Sequence, residues 1–285
     1  MSRIAYVNGR YLRHAEACVH VEDRGYQFSD GVYEVIGVHE MQLMDEDYHL
    51  KRLQRSLAGL RIDMPMPIAS LQQIIRHVVH RNILHNGMIY IQVTRGVSRR
   101  DHAFPNPPVR PSLVITAKRV DEKRVLRVVK EGVSVVTMPD QRWTRRDIKS
   151  VSLLANILAK QAAREAGAYE AWLVDEDGMV TEGSSTNAWI VNQDGLLVTR
   201  PLGQEILPGV TRRVLLEAAK CEGIDVVERA FSVDEARNAV EAFISASTAI
   251  IMPVVKIDDR IIGSGRPGSI SVKLRAAYYK AAKTS

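Results

Sequence analysis

Short apolar blocks, broken by turn residues, run along the whole chain, and their periods predict its elements. Residues 4–7 are apolar and precede Asn8-Gly9, a dipeptide that favours two-residue hairpins, so a strand pair is expected there. The run Gly31-Val32-Tyr33-Glu34-Val35-Ile36-Gly37-Val38 is β-branched and aromatic, which predicts a strand, with another at 41–44. Leu50, Leu53, Leu57 and Leu60 recur at helical spacing within 45–60, as do Ile74, Ile75, Val78 and Val79 within 68–84. Strands are expected at 88–94 and 112–117, separated by a polar, Pro-rich stretch at 95–108. The charged stretch 118–124 is the candidate interdomain linker.

The second half opens with a strand at 133–137. A helix at 152–166 follows, with Gly167 as its stop. Strands at 171–174, 188–191 and 196–199 are separated by Asp177-Gly178 and Asp194-Gly195 turns. Leu207-Pro208-Gly209-Val210-Thr211 leads into a helix reaching Cys221, a strand at 243–248 ends in small hydroxyl residues, and 270–282 is a closing helix. The order predicts an α+β fold with mostly antiparallel strands.

Composition narrows the class. The 285 residues fit two domains or one large one; the division expected is 1–120 and 121–285. With 46% hydrophobic and 25% charged residues, a packed core is expected rather than disorder. The net charge of +6 is spread along the chain without a basic run, so nucleic acid is not an expected partner, whereas small anionic substrates are compatible with it. Cys18 and Cys221 stand apart, so neither a metal site nor a disulfide framework is indicated. No apolar run is long enough for a bilayer and the start lacks a signal-peptide core, which predicts a cytoplasmic protein away from membranes.

Four groups could carry chemistry. Lys149 stands in Arg145-Arg146-Asp147-Ile148-Lys149-Ser150 before an apolar helix. A Schiff-base lysine must react as the free amine, which cationic neighbours favour and Asp147 opposes. Glu182, within Thr181-Glu182-Gly183-Ser184-Ser185-Thr186-Asn187, is a candidate partner for a ring nitrogen; in that role it makes the ring an electron sink. Val210 and Thr211 open a helix whose amides suit an anion, Ser247 and Thr248 offer hydroxyls, and Arg52 offers a charged donor. Pattern does not rank Arg52 against Lys51 or Arg55. Arg100 and His102, two residues apart, could hold a carboxylate with Tyr33 nearby. Taken singly, Lys149 reads as an ordinary solvated lysine and Glu182 as part of a polar turn.

Together the motifs are similar to those of the fold-type IV pyridoxal phosphate enzymes, and within that family to its D-amino acid aminotransferases. The resemblance runs from Val7-Asn8-Gly9 to the C-terminal helix. It is carried by residues 22–28, Asp30-Gly31-Val32-Tyr33-Glu34, Val93-Thr94-Arg95-Gly96 through Arg100 and His102, Asp147-Ile148-Lys149-Ser150 and Thr181-Glu182-Gly183-Ser184-Ser185.

The resemblance implies a two-domain fold, with a smaller N-terminal domain, a larger C-terminal domain carrying the cofactor lysine, and the site at their interface. It implies pyridoxal 5′-phosphate bound through Lys149, with Glu182 on the pyridine nitrogen and Leu207 against the ring. Arg52, Val210, Thr211 and Ser247 would hold the phosphate. Tyr33, Arg100 and His102 would bind the α-carboxylate of a D-amino acid, whose amino group passes to a 2-oxo acid. The Arg100/His102 loop would come from the partner subunit of a homodimer. Ala246 stands where the family pattern has a hydroxyl, and Thr186 where it has a serine. A branched-chain L-amino acid or amine transaminase and an aminodeoxychorismate lyase share the fold and are the alternatives. A basic, non-enzymatic binding protein is the third reading.

Overall fold

The structure, a computed structural model, describes residues 3–282 and 284–285. By its contacts the chain forms two compact units. One comprises Met1–Asp121 with Ile148–Ser152 and Lys283–Ser285, the other Glu122–Asp147 and Leu153–Ala282.

Among its described residues the first unit holds β1 (Ile4–Val7), β2 (Arg10–Arg13), α1 (Arg24–Phe28), β3 (Gly31–His39), β4 (Gln42–Leu43), α2 (Glu46–Gly59), α3 (Ile68–Arg81), β5 (Gly87–Thr94) and β6 (Ser112–Arg119). The strands form one six-stranded antiparallel sheet in the order β2-β1-β6-β5-β3-β4. Asn8 and Gly9 both take positive φ, and Val7 pairs with Arg10 across the two-residue turn their sequence predicts. The helical leucines do what their spacing implies. Leu50, Leu53 and Leu57 on α2, with Leu71, Ile75 and Val78 on α3, bury against Ile36, Ile89, Ile91 and Ile115 of the sheet.

The second unit holds α4 (Glu122–Glu131), β7 (Val133–Pro139), α5 (Leu154–Glu165), β8 (Glu170–Val174), β9 (Val180–Gly183), β10 (Asn187–Val191), β11 (Leu197–Thr199), α6 (Val210–Cys221), β12 (Val226–Glu228), α7 (Val233–Arg237), β13 (Glu241–Ala246), β14 (Ile250–Ile257), β15 (Arg260–Ile261) and α8 (Ser269–Ala281). Among the described residues its nine strands run β12-β11-β10-β13-β14-β7-β8-β9, with β15 on β14. Most neighbours are antiparallel, while β7 runs parallel to both β8 and β14, and β11 runs parallel to β12. The buried aromatics Trp172, Trp189, Phe231 and Phe243 fill this unit.

Three differences from the sequence reading bear on function. The charged stretch 118–124 does hold the boundary between the units, at Asp121/Glu122, but only residues 120–121 of it are linker, because β6 continues to Arg119 and α4 begins at Glu122. Thr181 and Glu182 belong to the strand β9 rather than to a loop. The segment Ile148–Ser152, expected on the C-terminal domain, has its contacts in the first unit.

Candidate active site

Lys149 is fixed by backbone pairing to β3. Tyr33 N donates to Lys149 O at 3.0 Å, Val32 and Ser150 form an antiparallel bridge, and Val151 N donates to Gly31 O at 3.0 Å. Lys149 N donates to the buried Ser56 hydroxyl on α2 at 3.3 Å. Ile148, just before it, enters the core of the first unit. The side chain is half-buried, with Nζ 4.3 Å from the centre of the Tyr33 ring. Tyr33 in turn stacks on Tyr90, whose phenol burial pushes up to about 12. The arginines expected to favour the free amine are otherwise engaged. Arg145 pairs with Asp147, and Arg146 with Asp140.

One residue along β3, Glu34 is fully buried and binds Arg52 through two contacts, Nε to Oε1 at 2.7 Å and Nη2 to Oε2 at 2.9 Å. His49 Nδ1 lies 2.7 Å from the same carboxylate. Burial opposes the Glu34 charge, but the Arg52 guanidinium beside it holds the carboxyl well below the usual range. Burial lowers the His49 pKa, against the opposing pull of the Glu34 carboxylate. Packing distinguishes the three cations that pattern left unranked: Arg52 is buried, whereas Lys51 and Arg55 are exposed.

In the second unit Glu182 is buried, and three donors converge on it. They are Arg142 Nη1 at 2.5 Å, Asn187 Nδ2 at 3.0 Å and the Leu207 amide at 3.1 Å. Arg142 also grips Asp140, through Nε at 2.9 Å and Nη2 at 2.8 Å. Burial works against the Arg142 charge, but Asp140 and Glu182 outweigh it and raise its pKa further. Asn187 Nδ2 donates as well to Leu207 O at 3.0 Å, which ties the turn before α6 to β10. Gly209 has room for no side chain, since a Cβ there would overlap the Asn187 amide. Asn187 pairs with Ser245 on β13, and Ser247 follows in the turn to β14. Glu182, Leu207, Val210, Thr211 and Ser247 therefore gather around one end of this sheet. Arg142 and Asn187 were missed by the sequence reading. Asn187 was visible as the last residue of the Glu182 motif, but no sequence signal marks Arg142.

Arg100 and His102 are exposed on the stretch between β5 and β6. Both rest on Phe28. The Arg100 guanidinium lies 4.6 Å from the ring centre, and the His102 ring 5.5 Å from it. They are brought together with one another, while Tyr33 is grouped with Lys149.

The profile of a family described as amino-transferase class IV matches residues 31–257. The chain belongs to this family. As a class IV aminotransferase it is 40% identical to a D-alanine aminotransferase of Bacillus licheniformis, over 95% of this chain and 94% of that one. It is 38% identical to a D-alanine aminotransferase of Staphylococcus haemolyticus, over 96% of each. Its fold matches the branched-chain amino acid aminotransferase of Escherichia coli with a TM-score of 0.90 at 25% identity, covering 98% of this chain and 94% of that one. A second match, the T.th. branched-chain amino acid aminotransferase with pyridoxamine 5′-phosphate, has a TM-score of 0.89 at 27% identity, covering 98% and 94%.

Class IV aminotransferases use pyridoxal 5′-phosphate, and the donor set here fits it. Thr211 Oγ1 is buried in the first turn of α6 and has no hydrogen-bond partner among the described residues. A buried hydroxyl left unpaired is costly, and a phosphate at this helix start would satisfy it alongside the first amides. Ser247 and the backbone after Gly209 stand at the same end of the sheet. Thr248, which could stand in for a hydroxyl at Ala246, is exposed.

Proposed function

We propose that this aminotransferase moves the amino group of D-amino acids, such as D-alanine, onto a 2-oxo acid such as 2-oxoglutarate. The products are the 2-oxo acid of the donor and a new D-amino acid. The observation that carries the reading is the exposed Arg100/His102 pair held together on Phe28. Two hydrogen-bond donors packed on one ring could hold the two oxygens of a carboxylate. The relatives named D-alanine aminotransferases support the same substrate class.

When bound, pyridoxal 5′-phosphate supplies an electron sink that makes the substrate α-hydrogen acidic. Lys149 Nζ is the attachment point and the proton carrier at the substrate Cα. Glu182 binds the pyridine nitrogen, with Arg142 and Asn187 fixing its carboxylate. Leu207 packs on the ring. Val210, Thr211 and Ser247 bind phosphate, and Arg52, oriented by Glu34, adds charge to the same task. Tyr33, Arg100 and His102 bind the α-carboxylate. Because the proton moves on one face, the side of the pocket that holds the carboxylate decides which enantiomer reacts.

The working form in this reading is a homodimer in which the Arg100/His102 loop of one protomer serves its partner. The apolar face of α5 supports it, since Leu154, Ile157 and Leu158 are 71%, 60% and 60% exposed at helix-face spacing. Cys18 and Cys221 are both free and exposed, which favours a cytoplasmic location. The fold match to branched-chain enzymes makes L-leucine transamination the competing reading. Arg100→Ala tests the carboxylate role on which the D-amino acid reading rests. A rise in KM for D-alanine of about ten-fold, with kcat little changed, supports the carboxylate role, and unchanged kinetics discard it.

A further inference from the structure

The segment Glu22-Asp23-Arg24-Gly25-Tyr26-Gln27-Phe28 carries part of the family resemblance, yet apart from Phe28 no role above uses it. In the structure it anchors the Arg100/His102 loop. Asp23 bridges Val97 in antiparallel fashion, Arg24 N donates to Gly96 O at 2.9 Å, and Ser98 N donates to Glu22 O at 3.3 Å. Thr94 Oγ1 donates to Asp23 Oδ2 at 3.0 Å. The two segments lie so close that a Cβ at Gly25 would overlap the Thr94 side chain.

The Arg24 side chain is 4% exposed and reaches further along the loop. Its Nη1 donates to Asp101 O at 2.6 Å and Ala103 O at 3.2 Å, and its Nη2 to His102 O at 3.3 Å. Three consecutive carbonyls are thus turned toward one guanidinium. Arg24 Nε is held by Asp30 Oδ2 at 2.8 Å, and Arg95 shares that carboxylate through Nε at 2.7 Å and Nη2 at 3.0 Å. Arg95 then stacks on Phe104 at the far side of the loop, 3.6 Å from the ring centre. Asp30 is partly buried, which works against its charge, but Arg95 and Arg24 hold it below the usual carboxylate range. The hub therefore stays anionic, and both guanidinium forks keep their direction.

We propose that Arg24 is a positioning residue for substrate carboxylate recognition: locked on Asp30, it fixes residues 101–103 and thereby presents Arg100 and His102 as a pair. The inference rests on the reading of that pair as the carboxylate site. An unanchored polar loop would have to be ordered at each binding event, and that cost would appear as weaker substrate binding. A lysine at this position lacks the planar fork that serves three carbonyls and a carboxylate at once.

The test uses the cofactor-loaded enzyme carrying Arg24→Lys, alone and combined with Arg100→Ala. Hydrogen exchange of the peptide covering 98–104 is measured beside steady-state kinetics with D-alanine. Arg24→Lys is expected to speed exchange in that peptide by about ten-fold and to raise KM by about ten-fold, with kcat within about two-fold. In the Arg100→Ala background the same change should move KM by less than about two-fold, because it acts through a side chain already gone. Phe104→Ala, at a more exposed site less prone to folding failure, should loosen the same peptide and raise KM in the same direction. Unchanged exchange and KM in Arg24→Lys overturn the inference while leaving the carboxylate reading intact if Arg100→Ala still raises KM. Full multiplication of the two effects in the double variant also overturns it. Faster exchange with unchanged KM in Arg24→Lys overturns the inference alone if Arg100→Ala raises KM, whereas no KM change in Arg100→Ala refutes the carboxylate reading itself, and the inference falls with it.

Discussion

Replacing Thr211 by Val should change stability and cofactor affinity in opposite directions. Thr211 Oγ1 is buried in the first turn of α6 without a hydrogen-bond partner among the described residues. Valine keeps the shape and the β-branch, so packing and helix propensity nearly cancel. Burying an unpaired hydroxyl costs about 1–3 kcal/mol. Relieving the low end of that cost stabilises the cofactor-free protein by about 1 kcal/mol, which is a rise of about 2–4 °C in Tm. With the phosphate in place the hydroxyl makes a charge-assisted hydrogen bond worth about 1.5 kcal/mol, so its loss weakens the cofactor about ten-fold. Calorimetry of the cofactor-free protein reads the first effect. Fluorescence titration with pyridoxal 5′-phosphate reads the second, and pyridoxal, which lacks the phosphate, should bind both proteins alike. A lower cofactor-free Tm, or an unaltered affinity for pyridoxal 5′-phosphate, refutes the assignment of Thr211 to the phosphate.

Other expectations come from the buried charges and the exposed helix. Glu34→Gln removes the carboxylate that both Arg52 and His49 bind, which should cost about 3–5 kcal/mol and lower Tm by roughly 10 °C; a melt within about 2 °C of the parent contradicts the pairing. Glu34, Asp30 and Asp140 are all held below their ordinary values, so each adds stability that is fully present above the unfolded pKa and lost as pH falls through the folded one. Tm should therefore hold from about pH 7 to about pH 5 and decline below about pH 4, and a Tm constant from pH 5 to pH 3 counts against it. Leu158→Asp on the outer face of α5 should shift the protein toward monomer in sedimentation velocity, whereas an unchanged sedimentation coefficient places the subunit contact elsewhere.

What the sequence made legible was local. Asn8-Gly9 specifies its turn whatever surrounds it, and the leucine spacing of α2 marks the buried face directly. The helix α4 was hidden because its surface is charged and only Val128 and Val129 of its apolar residues pack on the core. The candidate site was legible where one short motif holds several of its residues, as in 181–187, and illegible where distant residues meet. Arg142 reaches Glu182 across 40 positions, Arg24 reaches the Asp101 carbonyl across 77, and Lys149 is seated on Ser56 across 93. Local pattern carries no trace of such pairs. Charge context misled for a related reason. Arg145 and Arg146 stand beside Lys149 in sequence, but Arg145 pairs with Asp147, and Arg146 joins Arg142 on Asp140.

The central claim is tested most directly by donor choice. The purified, cofactor-loaded protein is mixed with 2-oxoglutarate and either D-alanine or L-leucine, and the 2-oxo acid formed from each donor is measured. The account predicts rapid formation of pyruvate from D-alanine and little product from L-leucine. Preferential turnover of L-leucine, with no pyruvate from D-alanine, would contradict it.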